Sequence, residues 1–365
     1  MKILNSCPFN LSDNKTRILW EITPRCNMSC KHCLFFQNNQ NGFMQEMKLD
    51  DVYKIIDNIS KDKNVTAIWL SGGEPLLRKD IVQICEYISN KNIVPSLSTN
   101  GVLLNEELIE SLYNAGVRYI HLSLDGAKAS THDKLRGVKG AYSKLMDVME
   151  LLKKSPIRSG ASFMVTEESI DEIEDVIKIA DEKGLNVLSF YLVAELGRGA
   201  ENYKTDKSNL AERLANKIEK IEKLRMDNSK LKIELFRADK PSNCEENVLQ
   251  KCKGSNFLNI TYDGKLGACP WFMKSEEGFD VGSILENDFI ELEEKCKNIM
   301  KEKIEERQNN IEYCKKCPNE ALCGKGCIAL QNLNKGSYYK LDPICPNIKR
   351  TVGANNKDTA LLKEA

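Results

Sequence analysis

The stretch Glu21–Cys33 reads EITPRCNMSCKHC and sets three cysteines in a C-x3-C-x2-C spacing after a strand-like segment: Cys26, Cys30 and Cys33. Thiolates this close together let one loop wrap three corners of a cubane iron–sulfur cluster. A [4Fe–4S] cluster takes four ligands, so three cysteines leave one iron open to a small chelating molecule. Zinc is the alternative. His32 is then a candidate fourth ligand, although it adjoins Cys33 and adjacent residues rarely reach one ion.

Composition restricts the class of protein. The chain has 365 residues, of which 41% are apolar, enough to bury a core in two or three domains. Acidic and basic residues number 53 each, so no net charge draws the chain to nucleic acid or to a membrane. We find no apolar run near eighteen residues and no signal-peptide pattern, which predicts a cytoplasmic protein without a membrane span. In that reducing compartment, fourteen cysteines indicate metal ligands and not disulfides.

Strand-like and helix-like patterns alternate through the first half of the chain. This alternation predicts βαβ units, a mainly parallel sheet and an α/β fold in the form of a partial (β/α)6 barrel, with functional residues at the carboxyl ends of the strands. Asn105 is predicted to cap a helix that ends at Gly116, and Ser169 with Glu172 to form a capping box. Six strands are predicted: Arg17–Thr23, Val65–Ser71, Ile93–Ser98, Val117–Leu124, Gly160–Thr166 and Asn186–Val193.

The second predicted strand ends in WLSGGEPLL, which contains Gly72, Gly73 and Glu74. Two glycines at a strand end allow a ligand to approach the backbone closely, and the Glu74 carboxylate can bind an ammonium group. A tight turn between strand and helix is the alternative. Because this turn follows the cysteine loop by one βα unit, both are expected at the same end of the sheet.

Four motifs together resemble the radical S-adenosylmethionine (SAM) superfamily over Arg17–Arg198: the cysteine loop, GGEP, STNG at Ser98–Gly101 and SLDG at Ser123–Gly126. The resemblance implies that the three cysteines of the loop hold a [4Fe–4S] cluster whose open iron binds SAM. It also implies that the turn Gly72–Glu74 binds the methionyl amine. By position, Ser123 looks like a SAM contact, and the His32 backbone like a contact to adenine.

The second half of the chain carries another group of cysteines, which resembles the SPASM domain, a small cysteine-rich α+β extension of radical SAM enzymes with two auxiliary [4Fe–4S] clusters. The resemblance implies one set of ligands at Cys252, Cys269 and Cys327, and a second at Cys314, Cys317, Cys323 and Cys345. Cys244 is the candidate to complete the first set. Zinc ribbons, in a non-enzymatic interaction module, are the alternative. Cys85 and Cys296 lie on apolar helical faces and are predicted to be core residues.

These patterns predict five regions along the chain: an N-terminal extension at 1–16, the radical SAM partial barrel at 17–200, a helical linker at 201–243, the SPASM domain at 244–350 and a polar tail at 351–365. The resemblance implies three [4Fe–4S] clusters, SAM, and an electron donor such as flavodoxin or ferredoxin. The reduced cluster would split SAM, and the resulting 5′-deoxyadenosyl radical would abstract hydrogen from a substrate at the barrel mouth.

The substrate is open between a peptide and a small molecule. Maturation of a ribosomally made peptide is the leading hypothesis, although Cys26 lies too near the start for the usual leader-binding domain. SLDG, HD-x2-RG and GRG also resemble enzymes that modify haem or haem d1 precursors. There, Arg136 or Arg198 could pair with tetrapyrrole propionates. Anaerobic sulfatase maturation is a third hypothesis. Glu195 and Arg198, after the sixth strand, are the candidate catalytic residues.

Overall fold

The structure, a computed structural model, describes residues 15–35, 45–193, 197–203, 210, 213, 217, 231–236, 257–270 and 280–310. The side chains of 235, 236, 304 and 307–310 are outside this set. No helix within these ranges is long and apolar enough to cross a membrane.

One sheet of ten strands organises the described part of the chain, in the order β10-β9-β8-β1-β2-β3-β4-β5-β6-β7. The eight strands from β8 to β7 are parallel, whereas β9 pairs antiparallel with β8 and β10. In chain order the strands are Thr16–Thr23, Val65–Gly72, Val94–Ser98, Tyr119–Ser123, Arg158–Val165, Val187–Leu192, Lys232–Phe236, Phe257–Ile260, Lys265–Gly267 and Asp280–Ser283.

Helices follow the first six strands, and the apolar side chains of most of them pack on one face of the sheet. They are α1 Leu49–Ile59, α2 Ile81–Asn90, α3 Glu106–Asn114, α4 Ala129–Arg136 with α5 Ala141–Lys154, α6 Ile173–Glu182 and α7 Arg198–Asn202; α8, Phe289–Asn310, follows β10. In α1, buried apolar residues recur at helical spacing at Val52, Ile55, Ile56 and Ile59. Burying such a side chain stabilises the fold by roughly 1.5–3 kcal/mol.

The two faces of the sheet differ in polarity because side chains alternate along each strand. Ile18, Trp20 and Ile22 of β1 belong to the apolar core with the helices. On the opposite face, in the interior of the partial barrel, several buried side chains are polar, among them Glu21 and His121. The interior of the barrel is thus a polar environment below the carboxyl ends of the strands.

All six predicted strands are confirmed, and the sheet is larger than the sequence indicated. β7 lies within the stretch 201–243, which was predicted as a helical linker, and pairs with β6. β8 lies within the predicted C-terminal domain, yet it pairs with β1. Both strands have only four or five residues, so their periodicity is too short to predict pairing with a strand far along the chain.

The two predicted caps have different outcomes. Asn105 caps α3, since its side chain accepts a hydrogen bond from Leu108 N at 2.8 Å. The capping box at Ser169 is wrong. Ser169 Oγ instead accepts from Thr166 N and donates to Met164 O, and a 3-10 turn, Ile170–Glu172, precedes α6. Cys85 and Cys296 are buried in the core, as predicted.

Candidate metal centre and active site

The cysteine loop and the glycine turn lie against each other at the carboxyl ends of β1 and β2. Gly73 N donates to Thr23 O at 2.8 Å, and Glu74 N donates to Arg25 O at 2.7 Å. A Cβ on Gly73 would lie 2.0 Å from Arg25 O, so only glycine fits there. The close backbone approach that the glycines permit is therefore made to the cysteine loop of the same chain.

Glu74 joins the ends of β2 and β3. Its carboxylate is almost fully buried and accepts from Leu76 N at 3.1 Å, Thr99 Oγ1 at 2.7 Å and Asn100 N at 2.8 Å. Burial raises the pKa of Glu74, and these three donors act in the opposite direction. A carboxylate has about four acceptor sites, so one direction remains for an ammonium group. Amine binding by Glu74 stays a prediction.

The three cysteines of the loop differ in exposure: Cys26 is exposed, Cys30 buried and Cys33 half-buried. Although Cys26 is exposed as a whole residue, desolvation of its thiol raises the pKa of Cys26 to about 11, and burial also raises the pKa of Cys30. Asn100 Nδ2 donates to Asn27 Oδ1 at 2.7 Å and ties the loop to the end of β3. Both shifts favour the protonated thiol at Cys26 and Cys30, and a bound metal centre would displace those protons.

Two helices hold the other side of the loop. Lys31 N donates to Leu135 O of α4 at 2.9 Å. Arg198 N, at the start of α7, donates to Cys33 O at 3.0 Å, and Asn202 Nδ2 donates to Lys31 O at 3.1 Å. The structure thus brings Arg198 beside the cysteine loop, while Glu195 lies outside the described residues.

A buried ionic cluster lies directly behind Cys30. Arg136 Nε is 2.7 Å from Asp125 Oδ2, and Arg136 Nη1 donates to Cys30 Sγ at 3.5 Å. Asp125 Oδ1 accepts from Met164 N at 2.8 Å. Burial opposes ionisation of Asp125, but Arg136 and the nearby histidines outweigh it and lower its pKa. The carboxylate partner of Arg136 in the structure is Asp125, and pairing of Arg136 with a substrate carboxylate stays a prediction.

His32 and Ser123, both expected to contact SAM, lie at this end of the sheet. His32 Nε2 is 3.3 Å from Asp125 Oδ2, and burial lowers the pKa of His32 to about 4, so its ring is neutral. His32 Nδ1 is buried and has no hydrogen-bond partner among the described residues. Ser123 is half-buried at the end of β4, opposite Ser162 of β5. Their roles toward SAM stay predictions.

Three thiols on one loop are a donor set that fits a cubane cluster. Within the described ranges, no three His, Cys, Asp or Glu side chains converge closely enough to hold one metal ion. A mononuclear zinc site needs its thiolates at about 2.3 Å from one centre. A cubane instead spreads its ligands over separate corners, and three thiols around one loop leave its fourth position open.

Of the C-terminal cysteines that were predicted as cluster ligands, only Cys269 lies within the described residues. It is half-buried after β9 and packs against the core of the sheet. The ligand sets of the auxiliary clusters stay predictions, since the others lie outside the described residues: Cys244, Cys252, Cys314, Cys317, Cys323, Cys327 and Cys345.

Three residues at the site received no role from the sequence: Thr99, Asn100 and Asp125. All three belong to the motifs STNG and SLDG, so the motifs gave their positions. Their shared signal is that each follows the end of a parallel strand, where functional groups gather. Their partners could not be read from the sequence because each partner comes from a different strand or loop.

Comparisons with known proteins identify the relatives of this chain. Residues 20–180 match the family model described as the radical SAM superfamily. The AdoMet-dependent heme synthase of Methanosarcina barkeri is 27% identical over 343 residues, which cover 90% of this chain and 95% of that protein. The PqqA peptide cyclase of Gluconobacter oxydans is 26% identical over 257 residues, 69% of each protein.

Among solved structures, native anSMEcpe with bound AdoMet and Cp18Cys peptide superposes with a TM-score of 0.71. The likeness covers 92% of this chain and 95% of that one, at 21% sequence identity, and it is a likeness of fold.

Proposed function

Since the chain is a radical SAM enzyme, with its radical SAM domain at residues 20–180, we propose that Cys26, Cys30 and Cys33 bind a [4Fe–4S] cluster whose open iron takes SAM. The bound group supplies a one-electron cleavage of SAM that yields a radical able to abstract hydrogen. The residues of the chain position this centre: the turn at Gly73 and Glu74 holds one side of the loop, and α4 and α7 hold the other.

We further propose that the substrate is a tetrapyrrole with propionate side chains. The observation that carries this proposal is the heme synthase match, which extends over 343 residues and thus well beyond the barrel. The match to the peptide cyclase covers 257 residues. The longer match favours a tetrapyrrole over the peptide that was the leading hypothesis from the sequence.

Charges near the cysteine loop support an anionic substrate. Lys31 and Lys134 are partly exposed and share Glu168, at 3.4 Å and 3.1 Å. Arg198 begins α7 at the same end of the sheet, where its backbone N donates to Cys33 O. Lys31 and Lys134 thus place two cations at one carboxylate on this rim, and cationic side chains bind carboxylates in charge-assisted pairs.

A peptide substrate is the second candidate, supported by the PqqA peptide cyclase relative. The likeness to anSMEcpe is one of fold and gives no further support to sulfatase maturation. For the second half of the chain, we propose that residues 244–350 hold two auxiliary clusters and that a small electron-transfer protein such as flavodoxin or ferredoxin supplies the electron.

The test compares two candidate substrates in separate anaerobic incubations. The reconstituted enzyme, SAM and a reductant are incubated with either a propionate-bearing tetrapyrrole or the peptide encoded by a neighbouring reading frame, and product masses are measured. We expect 5′-deoxyadenosine coupled to a mass change in the tetrapyrrole. A mass change in the peptide alone would contradict the tetrapyrrole proposal and support the second candidate.

A variant pair sharpens this test. Arg198→Gln is expected to raise the KM for the tetrapyrrole about tenfold, since one charge-assisted pair contributes on the order of 1.5–3 kcal/mol. Arg118→Gln is the matched control, because Arg118 lies before β4 at the opposite end of the sheet and stacks on Tyr113. Equal KM values for both variants would remove Arg198 from substrate binding and leave the class of enzyme untouched.

A further inference from the structure

Arg136 occupies a position between a proposed cluster ligand and a buried carboxylate. Its Nη1 donates to Cys30 Sγ at 3.5 Å, while its Nε lies 2.7 Å from Asp125 Oδ2. The side chains of Arg136 and Asp125 are 11% and 1% exposed, so water screens neither charge well. A positive charge is therefore held within hydrogen-bond reach of one of the three thiols.

The backbone fixes Arg136 relative to the cysteine loop. Leu135 O accepts from Lys31 N at 2.9 Å, so α4 is bonded to the residue that follows Cys30. Gly137 ends α4 with a φ of +71°. A Cβ at Gly137 would lie 2.4 Å from Ser29 Oγ, so the helix end and the loop are in close contact. The distance from the guanidinium to Cys30 is thus set by packing on both sides.

Asp125 is held as firmly as Arg136. Its Oδ1 accepts from Met164 N at 2.8 Å, and its backbone N donates to His132 Nδ1 at 3.1 Å. His32 Nε2 approaches Oδ2 at 3.3 Å. A planar guanidinium can contact a carboxylate and a thiolate at once, which the single ammonium of lysine does less well. In this geometry the Nη1 group of Arg136 points toward Cys30 while its Nε group contacts Asp125.

We propose that Arg136 raises the reduction potential of the SAM-binding cluster through Cys30, and that Asp125 is the positioning residue that holds Arg136 in place. The inference rests on the proposed ligation of the cluster by Cys26, Cys30 and Cys33. Reduction adds one electron from the external donor, and the added negative charge is stabilised by a poorly screened cation beside a ligand sulfur. Hydrogen bonds to the sulfurs act in the same direction.

The test is a redox titration of the full-length, reconstituted protein, followed by electron paramagnetic resonance. The signal of the SAM-binding cluster is identified as the one that changes when SAM is added. Arg136→Gln is expected to reduce the equilibrium constant for reduction at least tenfold, a fall of 59 mV for one electron. Arg136→Lys keeps the charge and is expected to recover at least half of that shift.

Lys134→Gln is the matched control. Lys134 is on the same helix, two residues away, but its side chain is 57% exposed and faces Glu168. Solvent screens that charge, so the equilibrium constant for reduction is expected to change less than threefold. Equal shifts in Lys134→Gln and Arg136→Gln would overturn the proposal, because they would indicate only the loss of overall charge.

A double variant covers the case in which Arg136→Gln leaves a lone buried carboxylate and loads no cluster. D125N/R136Q removes both charges, and pairs replaced together are tolerated better than pairs that are broken. Its potential is expected to lie below that of the parent, since the cation is the nearer charge to Cys30. A parent-like potential in this variant would overturn the proposal.

A different result would contradict the proposed ligation of the cluster by Cys30. If Cys30→Ala retained the SAM-responsive signal, the ligation would be wrong. An unshifted potential in Arg136→Gln, with Cys30 still required for the signal, would overturn only the role of Arg136.

Discussion

Two buried cysteines, Cys30 and Cys85, show what distinguishes a candidate ligand from a core residue. Both are buried, and burial raises the pKa of both thiols. Cys85 lies on α2 with Ile84 and Ile88, inside the apolar core. Cys30 lies in a loop with two further thiols and beside Arg136. Burial alone therefore does not identify a ligand; the charged neighbours and the companion thiols do.

The same contrast separates two regions of the molecule. The face of the sheet that packs on the helices is built from apolar residues at regular spacing, and each helix is determined mainly by its own sequence. The carboxyl ends of the strands are held by hydrogen bonds and ion pairs between segments far apart in the chain. Substitutions in the first region should affect stability, and those in the second should affect the metal centre.

The largest expected effect comes from exchanging the two cysteines for alanine. Cys30→Ala should abolish the formation of 5′-deoxyadenosine, because the proposed cluster would lose a ligand. Cys85→Ala should keep that activity and lower the free energy of unfolding by roughly 1–2 kcal/mol, since it leaves a small cavity. The measurements are 5′-deoxyadenosine release under reducing, anaerobic conditions and denaturant unfolding.

Iron content is the control for the cysteine pair. Cys30→Ala should lose about four irons per chain and keep those of any other cluster, while Cys85→Ala should keep all of them. Release of 5′-deoxyadenosine at the parent rate by Cys30→Ala would contradict the assignment of the loop.

The fold was predictable from the sequence wherever local patterns determine structure. The six strands with their helices follow from periodicity, and the cap at Asn105 follows from its side-chain chemistry. β7 and β8 were not predicted as part of the sheet. For β8 the reason is distance along the chain, because its pairing with β1 joins segments about 240 residues apart, as the register Leu19 with Asn259 shows. Short strands carry too little pattern to specify such partners.

The site was predictable in its residues but not in its contacts. Spacing and motif gave the cysteine loop and the glycine turn. The pairing of Asp125 with Arg136, and of Arg136 with Cys30, spans as many as 106 positions, and no local pattern encodes it. Ser169 shows the same limit in reverse: its sequence fits a cap, but its hydroxyl bonds Thr166 and Met164 because the loop folds back there.

The next largest expected effect comes from exchanging Gly73 for alanine. Gly73→Ala should place a Cβ against Arg25 O, where 2.0 Å is far below a van der Waals contact, and the turn cannot yield without breaking its bonds to the cysteine loop. We expect a loss of roughly 2 kcal/mol or more in unfolding free energy together with poor cluster loading. Iron content and denaturant unfolding measure both.

Gly140→Ala is the matched control for the turn. Gly140 has a φ of +84°, but a Cβ there meets nothing within 4 Å. Only the backbone preference is lost, at about 1–2 kcal/mol, and cluster loading should be unchanged. If Gly140→Ala impaired loading as much as Gly73→Ala, the contact between turn and loop would not be the cause.

The smallest effect concerns a helix cap in the region governed by local sequence. Asn105 is exposed at the start of α3, and Asn105→Ala removes the acceptor for Leu108 N, which should cost about 1 kcal/mol. For a chain of this size that lowers Tm by about 2 °C. Asn105→Asp keeps the acceptor and should match the parent. Because the cap makes no contact with the cysteine loop, iron content and 5′-deoxyadenosine release should stay at parent levels in both variants. A drop in iron content that tracks the Tm across the two variants would instead mean that the metal centre depends on the general stability of the sheet, and the separation between the two regions would be lost.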